Sequence, residues 1–236
     1  MYFSRYFTHI LENTLYFCNV STHFTIDCVI YSFHEGDLKV LLTERNAYPY
    51  KDWWALPGFF VEPFEEMEDA VKRILYELTG LEDIYMKQLG AFAGVKRHPE
   101  GRILTVAFYT FVRFEDVSDK IKPVTDYMKK AQWWSVKDLP ELAFDHSEIL
   151  FKSLSKLKDE ISSTPIPYEL LPAKFTLTQL QQVYEAILGE PLDKRNFRRK
   201  MSTYGHIKQL NEYQKGVSYR AARLYKFDSK KFNKKY

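Results

Sequence analysis

The sequence predicts an α/β (α+β) sandwich joined to a smaller domain built from two helices and a hairpin. Three observations lead there. Strand-like runs mix with two amphipathic helical stretches over the first two thirds of the chain. Ser162-Ser163-Thr164-Pro165-Ile166-Pro167 then breaks the pattern as a linker. Beyond it come a helical stripe, a tight turn, a short basic helix and a hairpin. We therefore divide the chain into residues 1–165 and residues 166–236.

The elements follow in order. Phe3, Tyr6, Phe7, Ile10 and Leu11 have helical spacing and suggest a short amphipathic helix docking on another surface, such as a second subunit. Phe24 to Phe33 reads as a strand rich in β-branched and aromatic residues, His34 to Asp37 as a turn, and Leu38 to Thr43 as a second strand. Trp53 to Gly58 is a loop with aromatic anchors. A helix runs from about Glu65 to Thr79, with Met67, Val71, Ile74, Leu75 and Leu78 as its apolar stripe and Gly80 as its stop. Strands are expected near Lys87 to Ala93, Leu104 to Arg113 and Lys130 to Ser135, with a loop at Lys96 to Gly101. A second helix spans His146 to Ile161, with Ile149, Leu150, Leu154 and Leu157 inward. After the linker, Thr176 opens a helix whose apolar face is Leu177, Leu180, Val183, Tyr184 and Ile187, and Gly189 stops it. Asp193 caps a second helix from Lys194 to Ser202. His206 to Leu210 and Tyr219 to Phe227 alternate like a hairpin with Lys215-Gly216 at its tip, and a Lys-rich tail starts at Lys230. This is the order of a winged helix-turn-helix.

Length and composition narrow the function classes. The 236 residues, 45% hydrophobic and 17% aromatic, are enough for a sizeable core. Two cysteines, Cys18 and Cys28, suit neither a disulfide framework nor a zinc cluster, so a reducing cytoplasm is expected. No apolar run reaches membrane-spanning length, and Met1 to Val20 lacks the features of a signal peptide. The net charge of +3 conceals an asymmetry. Pro172 to the end carries 15 Lys and Arg against 5 Asp and Glu, a balance of +10, while the preceding part balances at −7. A cationic segment of this kind fits a polyanion partner; a solvated basic surface is the alternative.

One motif carries enzymatic chemistry in outline. Leu56-Pro57-Gly58 and the run from Glu65 to Leu81 resemble the Nudix family, whose box reads G-x5-E-x7-R-E-u-x-E-E-x-G-u with u aliphatic. Glu65, Arg73, Leu75, Glu77, Gly80 and Leu81 match. Ile74 and Leu78 stand where two glutamates belong, and Phe59 and Phe64 where glycines do. Positions 74, 77 and 78 share a helical face, and three carboxylates there would grip divalent metal against a diphosphate. Only Glu77 and Glu65 remain, as degenerate metal remnants. The resemblance implies a Nudix-like sandwich, and the departures from the box lead us to expect no catalytic residue set, no cofactor and no metal, although one or two carboxylates can hold Mg²⁺ with help from a substrate. Glu65, Arg73 and Glu77 also read as a loop–helix salt bridge that holds the fold.

The second motif is the basic helix. Lys194, Arg195, Asn196, Arg198, Arg199 and Lys200 face outward if Phe197 and Met201, at i and i+4, face the core. Arg reads guanine, Asn reads adenine, and Lys or Arg grips phosphate; Lys215 and Arg220 on the hairpin extend the surface. With Phe175 to Leu180, Tyr184-Glu185-Ala186, Leu188-Gly189, Pro191 to Lys200, Phe144-Asp145-His146 and Leu224-Tyr225, nearly the whole chain resembles the Nudix-related transcriptional regulators of the NrtR and AraR group. The resemblance implies a homodimer that binds a double-stranded DNA operator and whose Nudix-like domain senses a metabolite.

Members of that group sense ADP-ribose and related nucleotides, or L-arabinose. Phe59 and Phe64 at glycine positions, with a depleted metal cage, disfavour a diphosphate, so the sequence favours L-arabinose and carbohydrate metabolism, with an ADP-ribose sensor as the alternative. Arg45, Trp53, Trp54, Phe59, Glu77, Asp145 and His146 are the expected effector-binding groups; ordinary packing would explain each of them as well. Two rivals differ in class: a Nudix hydrolase of nucleoside diphosphate derivatives with a basic accessory domain, and a protein-interaction module with neither activity.

Overall fold

The computed structural model describes residues 23–82, 84, 86–121, 127–163, 168–218 and 220–228. The expected N-terminal helix, residues 164–167 of the expected linker and the Lys-rich tail lie outside the described residues.

The first domain is a seven-stranded mixed sheet between helices. Its strands are β1 (His23–His34), β2 (Asp37–Arg45), β3 (Trp54–Ala55), β4 (Gly58–Phe60), β5 (Lys87–Phe92), β6 (Ile103–Phe111) and β7 (Met128–Ser135). The order is β3-β2-β1-β6-β5, with β4 paired to the first part of β1 and β7 paired to β2. β1 and β6 run parallel at the centre, and the other pairings are antiparallel. The middle of β1 is buried on both faces, as expected of a central strand covered from two sides. Alternation then sorts its side chains.

Ile26, Cys28 and Ile30 meet α1 (Met67–Thr79), which presents Ala70, Val71, Ile74, Leu75 and Leu78. Gly80 ends α1 at φ 66°, a left-handed conformation in which its N–H donates to the Tyr76 carbonyl. Val29 and Tyr31 face the opposite way, toward Ile149, Leu150, Leu157 and Ile161 of α3 (His146–Ser163). A single turn of helix, α2 (Phe114–Val117), follows β6 and was not legible in the sequence.

The second domain begins with a 3-10 turn (Tyr168–Leu170) and β8 (Phe175–Thr176). α4 (Leu177–Leu188) starts with a capping box: Thr176 and Gln179 satisfy each other's backbone N–H groups. α5 (Lys194–Ser202) is capped by Asp193, whose carboxylate accepts from Asn196 N–H at 2.8 Å. β9 (Ile207–Tyr213) and β10 (Arg223–Phe227) pair with β8 in a three-stranded sheet of order β8-β10-β9. Among the described residues, no helix is long and apolar enough to cross a membrane.

Candidate effector pocket and nucleic-acid interface

One cavity opens beside β1 and β4, bordered by the loop after β2, the loop after β5 and the entry to α3. Its charged floor starts at Asp27, the single carboxylate of the central strand β1 and 5% exposed. Arg97, 8% exposed, bridges two carboxylates: Nη2 lies 3.3 Å from Asp27 Oδ2, while Nε and Nη2 each lie 2.9 Å from an oxygen of Asp145. Leu56 N–H donates to His146 Nδ1 at 2.9 Å, which leaves Nε2 to carry the ring proton 3.4 Å from Asp27 Oδ1. Burial pushes the Asp27 carboxyl up, but His146 and Arg97 outweigh it and hold the group below its ordinary value.

Gly58 makes this floor buildable. A Cβ there would fall 2.3 Å from Asp27 Oδ1 and 2.6 Å from the Ile26 carbonyl. Only a hydrogen lets β4 pass so close to the buried carboxylate.

Phe144 forms the aromatic wall. Its ring packs on Tyr50, His98 and His146, and the Arg45 guanidinium sits 4.7 Å from its centroid. Phe144 adopts φ 56°, strained for a residue with a side chain, immediately before Asp145 and α3. Arg45 donates to the Pro49 and Ala47 carbonyls, which fixes its head at the cavity rim. Burial lowers the His98 imidazole below its usual range. Phe59 and Tyr127 line the cavity with rings 4.8 Å apart.

The structure thus brings Arg45, Phe59 and His146 together at the cavity, with Asp145 behind Arg97. It places three other expected residues elsewhere. Trp54 belongs to β3, packed edge-on against Trp134 with Lys130 over its ring, and Trp53 packs against Tyr50. Glu77 lies on α1, 3.8 Å from Arg73, away from the lining. Asp27, Arg97, His98 and Phe144 were not among the effector-binding residues expected from sequence. The lone Asp in the apolar run of β1 was the available signal, since a buried charge needs a partner.

The Nudix box folds as a structural unit. Arg73 makes a two-pronged ion pair with Glu65 at 2.7 and 2.8 Å, holding the Glu65 carboxyl below its usual range and tying the loop to α1. Ile74 and Leu78 are 3% and 1% exposed, packed into the core. Among the described residues, no cluster of three or more His, Cys, Asp or Glu side chains is arranged to hold a metal ion. These residues do not fit the divalent metal that the box holds when its glutamates are present. The sequence argument that Phe64 obstructs a diphosphate fails on geometry, because its side chain is fully exposed and outside the cavity lining.

In the second domain, Lys194, Arg195, Asn196, Arg198, Arg199 and Lys200 are all exposed on α5, while Phe197 and Met201 are buried. Phe197 meets Tyr184 of α4 edge-to-face at 5.0 Å, which fixes the rotation of the helix about its axis. Arg199 donates to Asn196 Oδ1 at 3.0 Å. Lys215 and Arg220 are exposed between β9 and β10, where a wing belongs.

Residues 21–154 match the NUDIX domain, and residues 167–227 match the NrtR DNA-binding winged helix domain. Over 207 residues the chain is 34% identical to the ADPR responsive transcriptional repressor NtrR of Acinetobacter baylyi, spanning 86% of this chain and 81% of that protein. The chain belongs to the NrtR family of Nudix-related transcriptional regulators. Solved structures agree with this family assignment. The crystal structure of Shewanella oneidensis NrtR complexed with a 27mer DNA superposes with a TM-score of 0.75 at 29% identity, covering 86% of this chain and 93% of that one. The NUDIX domain of the same Shewanella protein, complexed with ADP ribose, matches with a TM-score of 0.52 at 27% identity, covering 61% and 97%. As a member of the NrtR family, the chain combines a Nudix sensor fold with a DNA-binding winged helix. L-arabinose, favoured from sequence, finds no support among these relatives.

Proposed function

We propose that this protein is an ADP-ribose-responsive transcriptional repressor whose Nudix-like domain binds its effector without hydrolysing it. The reading is carried by one juxtaposition within an NrtR-family chain. A cavity with two guanidinium groups and an aromatic wall lies in a domain whose box has two buried aliphatic residues in place of metal-binding glutamates. Arg45 and Arg97 supply positive charge for a diphosphate, and Phe59, Tyr127 and Phe144 offer faces to a base or ribose. The Acinetobacter relative named for ADP-ribose response and the Shewanella domain complexed with ADP ribose support this choice.

Two copies on one operator would place their α5 helices in successive major grooves about 34 Å apart, matching half-sites one helical turn apart. The test is calorimetry with ADP-ribose and with L-arabinose, followed by a gel shift on an operator fragment. Heat from ADP-ribose and its release of the DNA are the expected results. Heat from the sugar alone, or DNA affinity unchanged at saturating ADP-ribose, rejects the reading. Another relative, the ADP-ribose pyrophosphatase of Methanocaldococcus jannaschii, is 37% identical over 49% of this chain and 66% of that protein. Efficient turnover of ADP-ribose with Mg²⁺ would place the present chain with that enzyme instead.

A further inference from the structure

We propose that Arg97 is the anion receptor of the pocket and that an anionic effector works by taking it from Asp145, the residue that opens α3. The inference rests on the ADP-ribose reading and assigns its coupling residues.

At the pocket two guanidinium groups stand against three carboxylates. Arg45 and Arg97 face Asp27 and Glu100 across the lining, with Asp145 behind Arg97. Arg45 is held at the rim by backbone carbonyls, whereas a diphosphate gains little from the second guanidinium until that group leaves its internal carboxylates. Arg97 is the one so held, with two bonds to Asp145 and one to Asp27.

Asp145 stands where that exchange is felt. Its carbonyl accepts from Glu148 and Ile149 N–H, so it occupies the capping position of α3. An aspartate there normally turns its carboxylate onto the first free N–H groups of the helix. Here both oxygens go to Arg97 instead. The carboxylate therefore has two alternative partners, Arg97 or the helix end, and release of Arg97 frees it for the second. The strained backbone of Phe144, gripped by Arg45 and His98, sits at the same joint. Entry to α3 is thus held in a higher-energy conformation by the groups an effector contacts.

α3 carries the change onward. Its 18 residues span about 27 Å as a rigid rod. At the far end, Ile161 shares a crevice with Tyr184 of α4 and with Asn196, Phe197 and Lys200 of α5. A shift of α3 along or about its axis therefore reaches the side chains that seat the DNA-facing helix.

The sign of one mutant effect tests this. In Asp145→Asn, Arg97 loses its charged competitor, so ADP-ribose should bind at least about fivefold more tightly by calorimetry, and its effect on operator affinity should shrink by the same factor. A carboxylate that only positions Arg97 for the ligand predicts weaker binding. Unchanged or weaker ADP-ribose affinity in Asp145→Asn, with wild-type protein responding normally, overturns the inference alone. Should Asp145→Asn fail to fold, Arg97→Lys decides: its lost fork should weaken ADP-ribose binding at least about tenfold, and unchanged affinity overturns the proposal. Wild-type protein that binds no ADP-ribose removes the underlying reading as well.

Discussion

At the residue scale, the pocket depends on a few side chains that each solve a burial problem. Asp27 is tolerated inside the sheet because Arg97 and His146 converge on it, and Leu56 N–H orients the imidazole. Gly58 admits β4 to the same place. Gly58→Ala should therefore cost about 3 kcal/mol in a urea titration, the upper end of overpacking penalties, because the added carbon meets a carboxylate oxygen and a carbonyl that cannot both retreat. A stability within about 0.5 kcal/mol of wild type would show that β4 does not pass Asp27 this closely.

At the scale of elements, α1 and α5 show one periodicity used in opposite ways. On α1 the positions that hold glutamates in the complete box hold Ile74 and Leu78, and both join the apolar face. Both side chains are packed into the core, while the Glu65–Arg73 pair keeps the loop attached to the helix. On α5, two apolar residues anchor one side and leave the cations outside. Arg195→Ala and Arg198→Ala should each weaken operator binding. Each should also lower the slope of log affinity against log salt by about 0.9 if the side chain contacts one phosphate. Because both side chains are exposed, stability should change by less than about 0.5 kcal/mol. An unaltered salt slope in both variants would remove α5 from the DNA interface.

At the scale of the whole molecule, the two domains share a core. One apolar cluster runs from Val29, Tyr31 and Val40 on the sheet through Ile149, Leu157 and Ile161 of α3 to Val183, Tyr184, Phe197 and Met201. α3 is thus both a wall of the sensor and a floor for the winged domain. The four tryptophans, at positions 53, 54, 133 and 134, all lie in the first domain, whereas helical circular dichroism reports on both. Chemical unfolding followed by the two signals should give coincident transitions. Clearly separated midpoints would show that the shared core does not couple the domains.

Much of this fold was legible in order of elements. The apolar stripes of α1, α3 and α4, the Asp193 cap and the Gly80 and Gly189 stops are local signals, and the helices run where those signals lie. The cationic outer face of α5 was likewise plain from spacing alone, because a helix fixes which side chains share a face, whereas the two exchanged glutamates were visible only through the resemblance to the Nudix box. The pocket was not. Asp27, Arg97 and His146 come from a strand, a loop and a helix start separated by 70 and 49 positions, β3 was read as loop, and Phe59 and Phe60 of β4 were assigned to no element. Their meeting depends on the parallel pairing of β1 with β6 and on the approach of Gly58. Sequence periodicity orients residues within an element; only the packing of distant elements decides which buried charges find one another.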